Sequence, residues 1–294
     1  MRQRRVLSVQ DVSCTGRCSI TVALPILSAA GIETVILPTA VLSSHTGGFT
    51  GYTFKDLTDE IPGILDHWET LNRGFDAIQT GYLAPKQIPL VEDLIRRFKK
   101  TDTLVLVDPA MADSGRMYAG FDLDFARAMA GLVSRADIAV PNYTEACFLL
   151  GEEYVPDPTR ERVEGLLKRL SALGPSRVLI SGMRFNSGRV GVLSYDARED
   201  AFDFFDTPDI PGYFHGSGDI FAAGLLSGIE CGLSFLLAVR LAHDLVHTSI
   251  LKTLEDQEED ERFGLHFERA IPGFIEEIDR MSRGEQTESI YKDR

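Results

Sequence analysis

Tyr213-Phe214-His215-Gly216-Ser217-Gly218-Asp219-Ile220-Phe221-Ala222-Ala223-Gly224 is the stretch around which this 294-residue chain organises itself. A Gly-Ser-Gly tripeptide runs into an aspartate, and a small-residue apolar helix follows. Glycines let backbone N–H groups approach an anion closely at the positive end of a helix. The carboxylate of Asp219 stands one residue on, where it can take a proton from an attacking hydroxyl. Both halves of a phosphoryl transfer from a nucleotide to an alcohol thus sit within four residues: Gly216, Ser217 and Gly218 as an anion hole, and Asp219 as the base. A plain helix start has the same look, because Gly and Ser begin helices well and an early Asp suits the helix dipole. The rest of the chain has to decide.

Working outward, short apolar runs alternate with helical patterns. Val6–Val9, Thr34–Leu37, Ala77-Ile78, Leu104–Val107, Ile138–Val140 and Val178–Ile180 read as strands. Cys18–Ala30, residues 123–133 and the stripes Ile88/Val91/Leu94/Ile95/Phe98 and Val163/Leu166/Leu167/Leu170 read as helices. Phe54–Leu71 reads as one long helix kinked at Pro62-Gly63. Val190–Leu193 and Ala201–Phe204 flank a polar turn and predict an antiparallel hairpin at a sheet edge. Two final helices follow Asp219. Strands apolar on both faces, separated by helices, predict an α/β fold with a mainly parallel sheet covered on both sides. No linker or repeat divides the chain, so residues 1–294 read as one domain, with a polar tail from about 284 to 294.

In such sheets ligands bind beyond the carboxyl ends of the strands. The polar residues gather there: Gln10-Asp11, Thr80-Gly81-Tyr82, Asp108-Pro109, Asn142 and Ser181-Gly182. Asn142 and Glu145 fit a helix N-cap with its N3 partner, and equally a water-mediated Mg²⁺ site; the two readings are compatible. Asp108 reads as a charge that orients a cation or phosphate, or as a turn residue before proline; Asp113 favours neither. Ser43–Phe49 is a polar loop in which Thr46 and, more weakly, His45 offer donors to a small ring. Tyr82 offers a ring or hydroxyl to an aromatic substrate, or simply packs.

Bulk properties exclude several classes. The net charge of −14 argues against nucleic acid, which is bound largely through Lys and Arg. Much of the excess lies in a run at Glu255, Asp256, Glu258, Glu259, Asp260 and Glu261, the pattern of a solvated segment. The basic start Met1–Arg5 precedes only Val6–Val9, too short for a secretory core. Ile220–Ala242 contains Glu230 and Arg240 and reads as two buried helices instead of a membrane span. A cytoplasmic protein is expected. Cys14, Cys18, Cys147 and Cys231 lack disulfide or zinc spacing and read as packing residues.

Together these residues resemble the ribokinase-like superfamily and, within it, the pyridoxal/pyridoxamine kinases. Leu7–Gln10, Ser44-His45-Thr46-Gly47, Thr80-Gly81-Tyr82, Val107-Asp108-Pro109, Pro141-Asn142 with Glu145, and Gly216–Asp219 carry the resemblance, in order. It implies transfer of the ATP γ-phosphate to the 5′-hydroxymethyl of pyridoxal, pyridoxine or pyridoxamine, usually by a homodimer. Asp219 would be the base and Gly216–Gly218 the anion hole. Asn142, Glu145 and Asp108 would organise Mg²⁺, with Ser181, Gly182 and Gly218 on the ATP side. Thr46, Tyr82, His45 and Asp11 would face the ring, and K⁺ is common in the family. Asp11 stands where these kinases often carry Ser, which would favour a substrate with an extra donor, such as the amine of pyridoxamine or an aminopyrimidine. Val140 stands where Thr is frequent. No Cys lies just before Gly216, which speaks against a thiol–aldehyde mechanism there. A hydroxymethylpyrimidine kinase is the nearest alternative. A sugar kinase suits the flat-ring segments less well, and a non-catalytic sensor suits the intact Asp219, Asn142 and Glu145 less well.

Overall fold

A nine-stranded sheet runs through the centre of the molecule. The computed structural model describes residues 2–256 and 260–284. Glu258 and Glu259 of the acidic run, and the expected polar tail apart from Gly284, lie outside them. The sheet is built from β1 (Arg5–Ser13), β2 (Glu33–Leu42), β3 (Phe54–Asp56), β4 (Ala77–Thr80), β5 (Leu104–Val107), β8 (Ile138–Ala139), β9 (Arg177–Met183), β10 (Arg189–Asp196) and β11 (Ala201–Pro208). Two short strands, β6 (Ala112–Asp113) and β7 (Arg116–Met117), form a separate ribbon. The order is β11-β10-β9-β8-β5-β4-β1-β2-β3. From β9 to β2 every pairing is parallel, while β10, β11 and β3 run antiparallel at the two edges.

Helices cover both faces. α2 (Ile61–Thr70), α3 (Ile88–Phe98), α4 (Leu123–Val133), α5 (Tyr143–Leu150) and α6 (Arg160–Ser171) pack on the side that buries Leu7, Val9, Ile78, Val105 and Val107. α1 (Ile20–Ala29), α7 (Ser217–Glu230), α8 (Phe235–Leu254) and α9 (Ile271–Ser282) pack on the opposite side, against Val6, Ala77, Leu106 and Ile138. Alternate residues of one strand thus feed two separate cores, which is why the central strands read as unbroken apolar runs.

The mainly parallel sheet, the two helical layers and the edge hairpin follow the sequence reading. Two segments differ. Phe54–Leu71 is not one helix: Phe54–Asp56 pairs with Ala40–Leu42 as an edge strand, and α2 begins only at Ile61. Pro62 lies in the first turn of α2, where its missing N–H costs nothing, so it marks a helix start and not a kink. Among the described residues three α-helices, α7, α8 and α9, stand from Ser217 onward instead of two; α9 buries only Phe274 and Ile278 fully, a thinner apolar stripe. Among the described residues no helix is long and apolar enough to cross a membrane.

The topology fixes where a site can form. The chain leaves β1 to one side for β2 and crosses to the other side for β4, so the strand order reverses at β1. A crevice opens at the carboxyl ends of strands at such a point. Asp11, Gly81-Tyr82, Asp108, Asn142 and Ser181-Gly182 all lie at those ends.

Candidate active site

Asp219 lies in the first turn of α7, directly over the strand ends. Gly216 caps the helix with φ 78°, a left-handed conformation natural to glycine. A side chain there would also collide with the Arg17 carbonyl, 2.2 Å from where a Cβ would stand. The first-turn N–H groups of a helix lack intrahelical partners, so this turn presents donors to an anion. A Cβ at Gly218 would lie 3.6 Å from Asp108 Oδ2, which puts the tripeptide beside the end of β5. The Asp219 carboxylate accepts a hydrogen bond from the Ser19 N–H at 2.8 Å. Burial pushes its pKa up to about 7; the charges of Asp108 and Asp11 act in the same direction, and the Ser19 bond opposes them. Such a carboxylate is ionised near neutrality yet basic enough to accept a proton.

Asp11 sits where the β1–β2 register shifts, between Gln10 and Val12. It is 5% exposed. Its Oδ1 accepts from Ser19 Oγ at 2.5 Å and its Oδ2 from Ser13 Oγ at 2.9 Å. Burial raises its pKa, and the two hydroxyls partly offset that. Tyr82 is half-buried; burial first, then the nearby Asp11, raises its phenol. Its ring lies 5.6 Å from that of Phe121.

On the other side of the crevice, Asn142 and Glu145 form a complete capping box at the start of α5. Glu145, 2% exposed, also accepts from the backbone N–H groups of Met111 (2.9 Å) and Ala112 (3.4 Å). Asn142 donates through Nδ2 to the Ala112 carbonyl at 2.7 Å. The box therefore ties down the segment after Asp108. Burial drives both Asp108 and Glu145 upward from the usual carboxylate range, and the Glu145 charge adds to the shift on Asp108. Ser181 bridges to Asn142 across neighbouring strands, and Gly182 follows with φ 77°. Among the described residues no three His, Cys, Asp or Glu side chains are grouped to hold a metal by themselves. The Asp108 carboxylate, whose Oδ1 accepts from the Ala110 N–H at 3.1 Å, and the Asn142 amide suit a divalent cation that arrives with phosphates and keeps several waters.

The Ser43–Phe49 loop closes the crevice. His45 accepts from the Gly47 N–H through Nδ1 (3.2 Å), so its Nε2 carries the proton and donates to the Arg262 carbonyl (2.6 Å). Burial lowers its pKa and keeps the ring neutral. His45 is thus 7% exposed and tied to the backbone, while Thr46 is exposed. The rings of His45 and His215 lie 5.0 Å apart, and a Cβ at Gly47 would fall 2.3 Å from His215. The ring-side loop and the anion-hole loop are therefore in contact.

This arrangement meets its counterparts among known proteins. The phosphomethylpyrimidine kinase family profile matches residues 27–262. The chain belongs to this family. A Bacteroides thetaiotaomicron protein described as a phosphomethylpyrimidine kinase, crystallised with pyridoxal, is 36% identical; the match covers 93% of this chain and 96% of that one, with a TM-score of 0.89. The pyridoxal kinase of Lactobacillus plantarum is 25% identical over 95% of this chain and 99% of its own, with a TM-score of 0.88. The pyridoxal kinase PdxY of Leifsonia xyli is 27% identical, over 88% of this chain and 92% of its length.

Within this kinase-family fold the crevice gathers Asp11, Tyr82, Asp108, Asn142, Glu145, Ser181, Gly182 and Gly216–Asp219 at one end of the sheet. Sequence reasoning passed over Ser13, Ser19 and His215. Ser19 falls inside the helix expected from Cys18 to Ala30, and only the fold brings its N–H 2.8 Å from a carboxylate 200 residues away.

Proposed function

We propose that the chain is an ATP-dependent kinase acting on the 5′-hydroxymethyl group of a B6 vitamer. One observation carries the chemistry: a half-buried Asp219, raised to about 7, at the head of a glycine-started helix. The pyridoxal bound by the 36%-identical Bacteroides protein supports the acceptor class.

Asp219 takes the proton of the acceptor hydroxyl. The acceptor oxygen bonds to the γ-phosphorus, the bond from that phosphorus to the β-phosphate oxygen breaks, and ADP leaves. Because the transition state of phosphoryl transfer is loose, the proton moves late, and positioning and charge neutralisation do most of the work. The N–H groups of the Gly216–Gly218 turn stabilise the transferring phosphoryl group. Asp108, Asn142 and, through them, Glu145 hold the nucleotide's cation side, with Ser181 and Gly182 beside it. A Mg²⁺ held on the Asp108 and Asn142 side would supply charge neutralisation for the transferring phosphoryl group. Tyr82 and the Thr46 loop bound the ring side.

A relative named hydroxymethylpyrimidine/phosphomethylpyrimidine kinase, 25% identical over 83% of this chain, keeps a second acceptor open, a hydroxymethylpyrimidine. The test is ADP release by the purified chain with Mg-ATP and K⁺, using pyridoxal, pyridoxine, pyridoxamine and hydroxymethylpyrimidine at equal concentration. Turnover led by a B6 vitamer is expected. Turnover with the pyrimidine alone moves the assignment to the second reading, and none with any acceptor sinks both.

A further inference from the structure

We propose that Ser19 is a positioning residue for Asp219 and that Asp11 holds Ser19 in that role instead of contacting the acceptor ring. The inference rests on the reading of Asp219 as the base. Among the described residues, the Ser19 N–H is the one hydrogen-bond donor to the Asp219 carboxylate, at 2.8 Å. Ser19 makes this bond while held at φ 51°, ψ −131°, a region L-residues rarely occupy. Such a conformation persists where the surroundings over-determine it.

The surroundings are visible. Ser19 precedes α1 as its N-cap, yet its hydroxyl makes no capping bond. It goes instead to Asp11 Oδ1 at 2.5 Å, a charge-assisted bond of the strong kind. Ser13 fixes the other oxygen of Asp11 at 2.9 Å. With both oxygens engaged and 5% exposure, Asp11 is spent on the protein. The rest of the loop is pinned too. Arg17 N–H donates to the Phe263 carbonyl at 2.9 Å, and Thr21 Oγ1 donates to the Cys18 carbonyl at 2.7 Å. The Arg17 carbonyl packs against Gly216. The 14–19 loop therefore touches the anion-hole turn at two points, one of them the base itself. The chain of contacts runs Ser13–Asp11–Ser19–Asp219, from the end of β1 to the start of α7.

A misplacement of a reacting group by about 1 Å can cost about 10²-fold in rate. Ser19→Ala is therefore expected to lower kcat by about 10–100-fold, with acceptor KM within about twofold. Asp11→Ala should do the same. The double variant should be no worse than Asp11→Ala alone, because the Ser19 hydroxyl acts only through Asp11. Asp11→Asn keeps an acceptor oxygen and should lose less than Asp11→Ala. A second readout needs no turnover: amide hydrogen exchange at Ser19 should accelerate in Asp11→Ala and in Ser19→Ala, since the strained N–H is no longer held on Asp219.

The assay uses whichever of the four acceptors the wild type turns over fastest, so a failed acceptor assignment and a failed Ser19 role give different results. If the wild type turns over none, the exchange measurement alone decides. An acceptor KM raised about tenfold or more with kcat retained in Asp11→Ala would make Asp11 a substrate contact and overturn the proposal. Losses that multiply in the double variant, a Ser19→Ala kcat within about twofold of wild type, or unchanged exchange at Ser19 would also overturn it. Should Asp11→Ala fail to fold, Asp11→Asn and Ser19→Ala carry the same comparison.

Discussion

Two carboxylates in the first turns of helices, Glu145 in α5 and Asp219 in α7, are held in different ways. Glu145 accepts from three backbone N–H groups, those of Met111, Ala112 and Asn142, and is 2% exposed. Asp219 is half-buried and, among the described residues, accepts from one, that of Ser19. Burial raises the pKa of both. A carboxylate surrounded by donors is a structural fastener, because removing it strands the donors. A carboxylate with a single donor and a raised pKa carries a desolvation cost that serves the chemistry. A carboxylate in the first turn of a helix thus ties down its surroundings in α5 and, on the proposed reading, serves reactivity in α7.

The largest effect that would separate the two is on turnover. Asp219→Asn should lower kcat by roughly 10²–10⁴, the range for a lost general base, with the fold intact by circular dichroism. A loss under tenfold would remove Asp219 from that role and erase the contrast with Glu145.

The next effect is on pH. The base must be ionised, so kcat/KM should rise with pH and level off near Asp219's pKa of about 7. Below it, activity should fall about tenfold per pH unit, and Asp219→Asn should flatten this limb. A profile of wild type and variant from pH 5 to 9 checks it.

Stability should then move in opposite directions. Glu145→Ala strands buried N–H groups and should cost about 1–3 kcal/mol in urea unfolding. Asp219→Asn should stabilise, and more at pH 8 than at pH 5. The sign follows from linkage: a folded pKa of about 7 against an ordinary value of 3.8 means the folded state binds the extra proton between those values. Stability therefore falls as pH rises through that window, and a neutral amide escapes the loss. About 1–3 kcal/mol at pH 8 is expected. If both variants destabilise equally, the two carboxylates are not different in kind.

The smallest effect belongs to the ring side. Thr46 is exposed, so Thr46→Ala should raise acceptor KM by about threefold to tenfold, the worth of one hydrogen bond, and leave kcat nearly unchanged.

Much of this was legible in the sequence because it is local. Leu104–Val107 and Ile138–Ala139 are apolar at every position, and only a parallel sheet covered on both sides buries both sets. The capping box at Asn142 and Glu145 is a four-residue pattern, and Gly216–Asp219 is another. What escaped is what tertiary contact decides. Phe54–Asp56 becomes a strand because β2 offers an edge, not because of its own pattern. Pro62 starts a helix or kinks one according to where the preceding segment goes. The ties of Asp11 to Ser13 and Ser19 depend on a register shift and a strained turn that no periodicity announces.

The most direct test is to incubate the wild-type chain with Mg-ATP, K⁺ and the four acceptors together, and to identify by mass which one gains a phosphoryl group, beside an Asp219→Asn control. A phosphorylated B6 vitamer that dominates in the wild type and nearly vanishes in the control is the predicted result. A phosphorylated pyrimidine alone, no new product, or equal product in the control would contradict the account.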